Sequence, residues 1–275
     1  MSAPAAASAI RLKNVSKSFG TKKVLVGLDL EVKKGESLVL VGQSGIGKSV
    51  LLKHVIGLLK PDSGTVEIDG VDLWGVPSRE RDTLRRKFGM SFQEGALFDS
   101  MSVGENIAFP LTRHTKKSKK EIAARVAECL ELVRLPGIEE KRPSELSGGM
   151  KRRVGFARAI ALQPENLLFD EPTTGLDPIT TDVVVKVIEE MRTRLKPSAI
   201  TITHDLKVAF AIADRVGLLY GGKIYVDMTP KEFERSKDPH VAAFVTGNSD
   251  LAPPEAEPER RSEKGRPEKA GEAHV

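Results

Sequence analysis

A single cysteine, Cys129, stands in a chain of 275 residues. One thiol excludes an internal disulfide framework and any zinc site built from several cysteines, and it fits a reducing compartment. No apolar run approaches the roughly 18 residues that a membrane span requires. If the protein works at a membrane, another chain must cross it. The opening stretch, MSAPAAASAIRLK, is alanine-rich but lacks both a charged start and a long apolar core, and is not read as a signal peptide. There is no internal repeat and no long heptad run. What is present is globular: 40% of residues are hydrophobic, and 43 Lys and Arg against 38 Asp and Glu leave a formal charge of +5. That mild excess suits phosphate ligands or an anionic surface, and is equally that of an ordinary soluble protein.

Along the chain, hydrophobic periodicity predicts strands over 10–41, where Leu28, Leu30 and Val32 alternate with polar residues and SLVLVG reads as a buried strand. A helix follows, with Leu51, Leu52, Val55, Ile56 and Leu59 on one face. TVEIDG is a strand closed by the turn pair Asp69-Gly70, 78–87 a charged helix, and FGMSFQ a strand. Between about 95 and 160 the pattern turns helical, with a capping box at Ser118 and Glu121. Strands resume at NLLFDEP, AITITHD and VGLLYGGKIYV, with a helix over 181–195 between the first two. Strands alternating with helices imply an α/β fold with a mostly parallel sheet covered on both faces. Residues 251–275 hold six acidic and five basic side chains and almost nothing apolar. Such a segment cannot bury enough surface to offset its ordering entropy and is expected to be disordered.

GQSGIGKS, residues 42–49, fits the phosphate-binding pattern G-x-x-x-x-G-K-[ST] and sits between an apolar strand and an amphipathic helix. Gly42, Gly45 and Gly47 let the backbone around Gln43, Ser44 and Ile46 bend so that N–H groups converge on phosphate oxygens. The helix through Val50 adds about half a positive charge at its start. Lys48 supplies a full one, and the Ser49 hydroxyl can ligate Mg²⁺. NLLFDE ends an apolar strand on two carboxylates, Asp170 and Glu171. On a parallel sheet both emerge at the end where ligands bind. One suits Mg²⁺, and the other is placed to orient or deprotonate an attacking water. His204, in TITHD, stands at another strand end and is read as a γ-phosphate contact.

These pieces in this order, with LSGG at 146–149, resemble the nucleotide-binding subunit of ABC transporters over about residues 10–245. The resemblance implies a P-loop, RecA-like core with an N-terminal antiparallel β subdomain and an inserted helical subdomain at about 95–160. The ATP-binding domain would span 8–247 and a polar tail 248–275. It implies an ATPase using ATP and Mg²⁺. Phe19 would stack on adenine, and Gln93 would link the metal and attacking water to the transporter interface. Asp170 would hold Mg²⁺ and Glu171 act as general base. Asp177, in TGLDP, would lie at a dimer interface and His204 be the switch histidine. Ser147, Gly148 and Gly149 would bind the γ-phosphate of ATP held by a second copy. The basic residues of the following helix, Lys151, Arg152, Arg153 and Arg158, have two readings: a solvated or ion-paired surface, or direct phosphate contacts.

Three local features narrow the resemblance. LSGGM carries Met150 where most of the family has glutamine. FQEGALFDSMSVGENIAFPLTRHT resembles the ATPases that serve Mla- and Mce-type lipid transporters, as do the Pro-Ile-Thr ending of DEPTTGLDPIT and the late segment DPHVAAFVTG. They imply a homodimer bound to an integral permease on the cytoplasmic face of the inner membrane, accompanied by accessory and Mce-domain subunits. The complex, rather than this chain, would handle phospholipid, and no nucleic acid is expected. Competing readings are an ATPase of another importer, for amino acids or other small solutes, and a soluble ABC ATPase acting on ribosomes or DNA. A P-loop kinase leaves LSGG and His204 unexplained. The basic run Arg113, Lys116, Lys117, Lys119 and Lys120 reads either as a headgroup contact or as a solvated loop.

Overall fold

The computed structural model describes residues 7–93 and 95–248, in two compact units, Met1–Ser236 and Lys237–Val275. In the first unit, β1 (Ser8–Phe19), β2 (Lys22–Lys33), β4 (Ser63–Ile68) and β5 (Val71–Asp72) form an antiparallel sheet in the order β2-β1-β4-β5. A second sheet runs β10-β9-β3-β8-β7-β6. It contains β3 (Ser37–Val41), β6 (Phe88–Ser91), β7 (Asn166–Asp170), β8 (Ser198–Ile202), β9 (Arg215–Tyr220) and β10 (Lys223–Met228). Its strands are parallel except for the edge strand β10.

Every residue of β3 and β8 is buried, as expected of strands covered on both faces. Each fully buried Leu, Ile or Val there is worth about 1.5–3 kcal/mol of transfer free energy. The predicted turns Asp69-Gly70 (φ 50° and 80°) and Gly221-Gly222 (φ 56° and 76°) take the left-handed backbone that a two-residue hairpin needs.

The helices are α1 (Lys48–Val55), α2 (Ser78–Arg85), α3 (Val103–His114), α4 (Lys119–Leu132), α5 (Gly148–Ile160), α6 (Pro178–Leu195), α7 (Leu206–Ile212) and α8 (Pro230–Glu234). Helices α3, α4 and α5 fall between β6 and β7, where the helical segment was expected. The Ser118–Glu121 capping box forms as read, and a second, at Ser102 and Glu105, starts α3. Three boundaries differ from the sequence reading. Helix α1 stops at Val55 rather than reaching Leu59, because Gly57 turns left-handed (φ 72°) and donates to the His54 carbonyl. Helix α6 starts at Pro178, three residues early, because the Asp177 carboxylate caps it. Strand β5 is too short to leave a periodic signal.

Cys129, on α4, is fully buried, and burial pushes its thiol up to about 11. It is expected to resist iodoacetamide at pH 8 in the native protein and to label completely in urea, as read by mass spectrometry. Equal labelling rates in both states would contradict the packing of α4.

In the second unit, α9 (Pro239–Thr246) is capped by Asp238 and ends at Gly247 with φ 67°. It forms from the DPHVAAFVTG segment. The tail from 249 onward lies outside the described residues.

Candidate active site

The strand order places the candidate residues at one end of the parallel sheet. Adjacent strands β3, β8, β7 and β6 deliver, from their C-terminal ends, the 42–49 loop, His204, Asp170-Glu171 and Gln93. This is the end at which ligands bind in open α/β sheets.

The loop is shaped for an anion. Gln43, Ser44 and Gly45 are exposed, Ile46 is half-buried, and the chain turns into α1 at Gly47. Gly47 has φ 113°, and a Cβ there would stand 2.6 Å from Val24 Cγ1. Only glycine satisfies both the angle and the approach of β2. Helix α1 has no side-chain cap and no acidic residue in its first turn. Helices α3 to α7, by contrast, each carry a Ser or Asp cap. The first N–H groups of α1 are therefore left for a ligand, as phosphate recognition at a helix start requires.

Lys48 folds back, its Nζ donating to the Gly42 carbonyl at 2.8 Å and the Gln43 carbonyl at 2.9 Å. Burial holds its ammonium below the usual lysine range, opposed by the carboxylates of Glu171 and Asp170.

Across the cradle, Ser49 Oγ donates to Asp170 Oδ1 at 3.2 Å. Burial raises the Asp170 carboxyl above its ordinary value; the Ser49 hydrogen bond lowers it and the neighbouring Glu171 charge raises it. A hydroxyl and one carboxylate are the donor set of a hard cation whose remaining ligands are water and substrate phosphate. Among the described residues no cluster of three or more His, Cys, Asp or Glu forms an all-protein metal cage.

Glu171 takes a left-handed backbone, φ 49°, unusual for a non-glycine residue and costing about 1 kcal/mol or more. Its N–H donates to Ile202 on β8 at 2.9 Å, which holds the turn. The Oε2 oxygen accepts from Thr174 Oγ1 at 2.9 Å and has His204 Nδ1 at the same distance. A carboxylate can only accept, so an Nδ1–H of His204 is the donor that this contact calls for. No described hydrogen bond reaches Glu171 Oε1.

Phe19 ends β1 half-exposed, with the Lys17 ammonium 5.7 Å from its ring centroid. A half-exposed aromatic ring suits a stacking platform. Gln93 follows β6 with an exposed side chain, and its carbonyl accepts from Arg152 Nε at 2.7 Å.

The remaining candidates form a second group. Ser147 caps α5, its Oγ accepting from Met150 N at 3.3 Å. Gly149 is buried where a Cβ would come 2.3 Å from Thr180 Cγ2. That glycine is needed for helix packing as much as for uncovered N–H groups. Asp177 accepts from the N–H groups of Ile179 and Thr180, each at 3.0 Å, and from Thr180 Oγ1 at 2.5 Å. No described hydrogen bond joins Ser147, Gly148, Gly149 or Asp177 to the 42–49 loop.

Neither reading of the α5 arginines holds. Arg153 donates to the Val133 and Arg134 carbonyls, Arg158 to the Gly95 carbonyl, and Arg152 to those of Gln93 and Thr174. These guanidiniums tie loops to α5 instead of facing solvent or phosphate. Sequence reasoning missed Thr174, and it named Arg152 without the two carbonyl partners that the structure gives it. A hydroxyl three residues after Glu171 was a usable signal for the first; nothing local marks those partners.

An open glycine cradle, a paired hydroxyl and carboxylate, and a strained glutamate with a histidine partner define a P-loop ATPase with the LSGG insertion of ATP-binding cassettes. The chain belongs to the ABC transporter family, whose profile matches residues 25–174. Among named relatives, it is 42% identical over 240 residues to the "Probable ribonucleotide transport ATP-binding protein mkl" of Mycobacterium leprae, covering 87% of this chain and 69% of that one. It is 39% identical over 241 residues to the intermembrane phospholipid transport system ATP-binding protein MlaF of Haemophilus influenzae, covering 88% and 91%. Among solved structures, the ATP-binding cassette MJ0796, a dimer in a post-hydrolysis state bound to ADP and Pi, superposes with a TM-score of 0.74. The two are 31% identical, over 80% of this chain and 98% of that one.

Proposed function

We propose that the chain powers the transport of phospholipid between the membranes of a bacterial envelope, as a homodimeric ATPase beneath an integral permease. The catalytic half of this reading is carried by Lys48, Ser49, Asp170, Glu171 and His204 at one sheet end. The cargo rests on the likeness to MlaF, which extends over nearly the whole of both chains.

In this reading residues 8–247 form the ATP-binding domain. Lys48, with the uncapped N–H groups of α1, binds the phosphate tail. Phe19 stacks on the adenine. Ser49, Asp170 and Gln93 would hold Mg²⁺, which when bound would neutralise charge building on the phosphates. Glu171 takes a proton from the attacking water through Oε1, while Thr174 and His204 keep its other oxygen fixed. Ser147, Gly148 and Gly149 serve the ATP of a second copy, with Asp177 at the same interface. The MJ0796 dimer supports that pairing. No helix among the described residues is long and apolar enough to cross a membrane. In this reading, which rests on the likeness to MlaF, the protein sits on the cytoplasmic face through its permease, with Mce-type accessory subunits.

The name of the mkl relative suggests ribonucleotide as a second cargo, but this chain spans 69% of that protein against 91% of MlaF. Purification of the tagged chain from membranes, with mass spectrometry of bound chains and lipids, decides between them. An Mla/Mce-type permease with phospholipid is expected. A polar-solute permease without enriched lipid would refute the phospholipid reading.

A further inference from the structure

Arg152 lies five residues after Ser147 and is buried, with 7% of its surface exposed. Its Nε donates to the Gln93 carbonyl at 2.7 Å, and its Nη2 donates to the Thr174 carbonyl. Thr174 in turn donates its hydroxyl to Glu171 Oε2 at 2.9 Å. One guanidinium therefore joins three elements: the helix that begins at Ser147, the loop that carries Gln93, and the turn that holds Glu171. Charge-assisted bonds in a buried setting are the stronger kind, and a guanidinium fork can serve two carbonyls with separate nitrogens.

The backbones around this junction are also locked together. A Cβ on Gly155 would stand 2.9 Å from Gly95 Cα, and one on Gly95 would stand 2.7 Å from the Lys151 carbonyl. Arg158 Nη2 adds a bond to the Gly95 carbonyl at 2.8 Å. Helix α5 cannot shift along this contact without carrying Gly95 with it, because close-packed backbones leave no slack.

We infer that Arg152 is a positioning residue that couples the two ATP sites of the dimer, by transmitting occupancy of Ser147–Gly149 to Gln93 and Glu171 of the same chain. This rests on the dimer reading above, in which Ser147–Gly149 touch the partner's ATP while Gln93 and Glu171 serve the chain's own. A small displacement of α5 when the partner's phosphate arrives then moves both carbonyls held by Arg152. The carboxylate of Glu171 is set through Thr174. Arg152 touches neither nucleotide. The physical basis for coupling is this contiguous set of packed and hydrogen-bonded groups biased from both ends.

The test uses the full-length chain and two variants, Arg152→Met and Arg152→Lys. Lysine keeps the buried charge but gathers its donors on one atom, losing the planar fork whose two separate nitrogens, Nε and Nη2, reach the Gln93 and Thr174 carbonyls. Measured quantities are MgATP affinity by calorimetry, kcat, the Hill coefficient for ATP hydrolysis, and Tm. The wild type is expected to show a Hill coefficient approaching 2, the number of sites. Both variants are expected to fall towards 1, with kcat reduced on the order of tenfold and MgATP affinity within about twofold. If Arg152→Met does not fold, Arg152→Lys carries the test. A folded lysine variant with wild-type kcat and Hill coefficient would overturn the inference. So would a loss of MgATP affinity matching the loss of kcat, which would mark a purely structural role. A Glu171→Gln chain with native Arg152 that stays monomeric with ATP, by light scattering, would remove the dimer reading itself. A dimer that hydrolyses with a Hill coefficient of 1 would remove only the role given to Arg152.

Discussion

Replacing Glu171 with glutamine is expected to lower ATP turnover by about 10²–10⁴-fold, the usual worth of a positioned general base. Nucleotide binding should be unchanged. The amide occupies the same space, and its remaining carbonyl oxygen can still accept the Thr174 hydroxyl that lies 2.9 Å from the carboxylate in the native protein. What it cannot do is take up a proton. Lys48, Ser49 and the open start of α1 are untouched, so MgATP should bind as before and the closed dimer should accumulate, because only hydrolysis breaks the contacts that depend on the γ-phosphate. Steady-state turnover, calorimetry and size exclusion with ATP check the three parts. Turnover within tenfold of wild type would take the general-base role away from Glu171.

The second large effect belongs to Lys48→Ala, which should weaken MgATP binding on the order of 10–100-fold. Hydrogen bonds to charged groups contribute about 1.5–3 kcal/mol, and each 1.4 kcal/mol is tenfold in affinity. The native ammonium is buried and bonded only to the Gly42 and Gln43 carbonyls among the described contacts, poised to turn onto a phosphate. Alanine at the first position of α1 is a good helix former, so far-UV circular dichroism should not change. Unchanged affinity by calorimetry in a folded variant would refute the cradle. Together the two substitutions separate binding from chemistry: one should lose affinity, the other turnover.

Much of this site was legible because its chemistry is local. The bend at Gly42–Gly47, the charge of Lys48 and the hydroxyl of Ser49 sit within eight residues, and each residue type is required by contact with phosphate. Asp170 and Glu171 announce themselves as carboxylates ending an apolar run. The 146–149 stretch was legible only through its family resemblance, since its ligand would come from another copy. Asp177 shows how a local signal can be read past. Its position before Pro178 is an N-cap pattern, and in the structure its carboxylate is engaged in starting α6.

The sequence by itself determined the alternation of strands and helices, the anion cradle, and the pair of carboxylates, because backbone periodicity and short-range chemistry repeat within a few residues. Only the tertiary structure decided the order β3-β8-β7-β6, which brings His204 against Glu171 across 33 positions of chain and Ser49 against Asp170 across 121. It alone turned the arginines of α5 inward. Four basic side chains on an amphipathic helix read as a surface or as phosphate contacts, but the loops after β6 and β7 and the end of α4 bring carbonyls to three of them. A buried carbonyl without a donor is costly, and at Gln93 and Thr174 the donor that meets this need is Arg152.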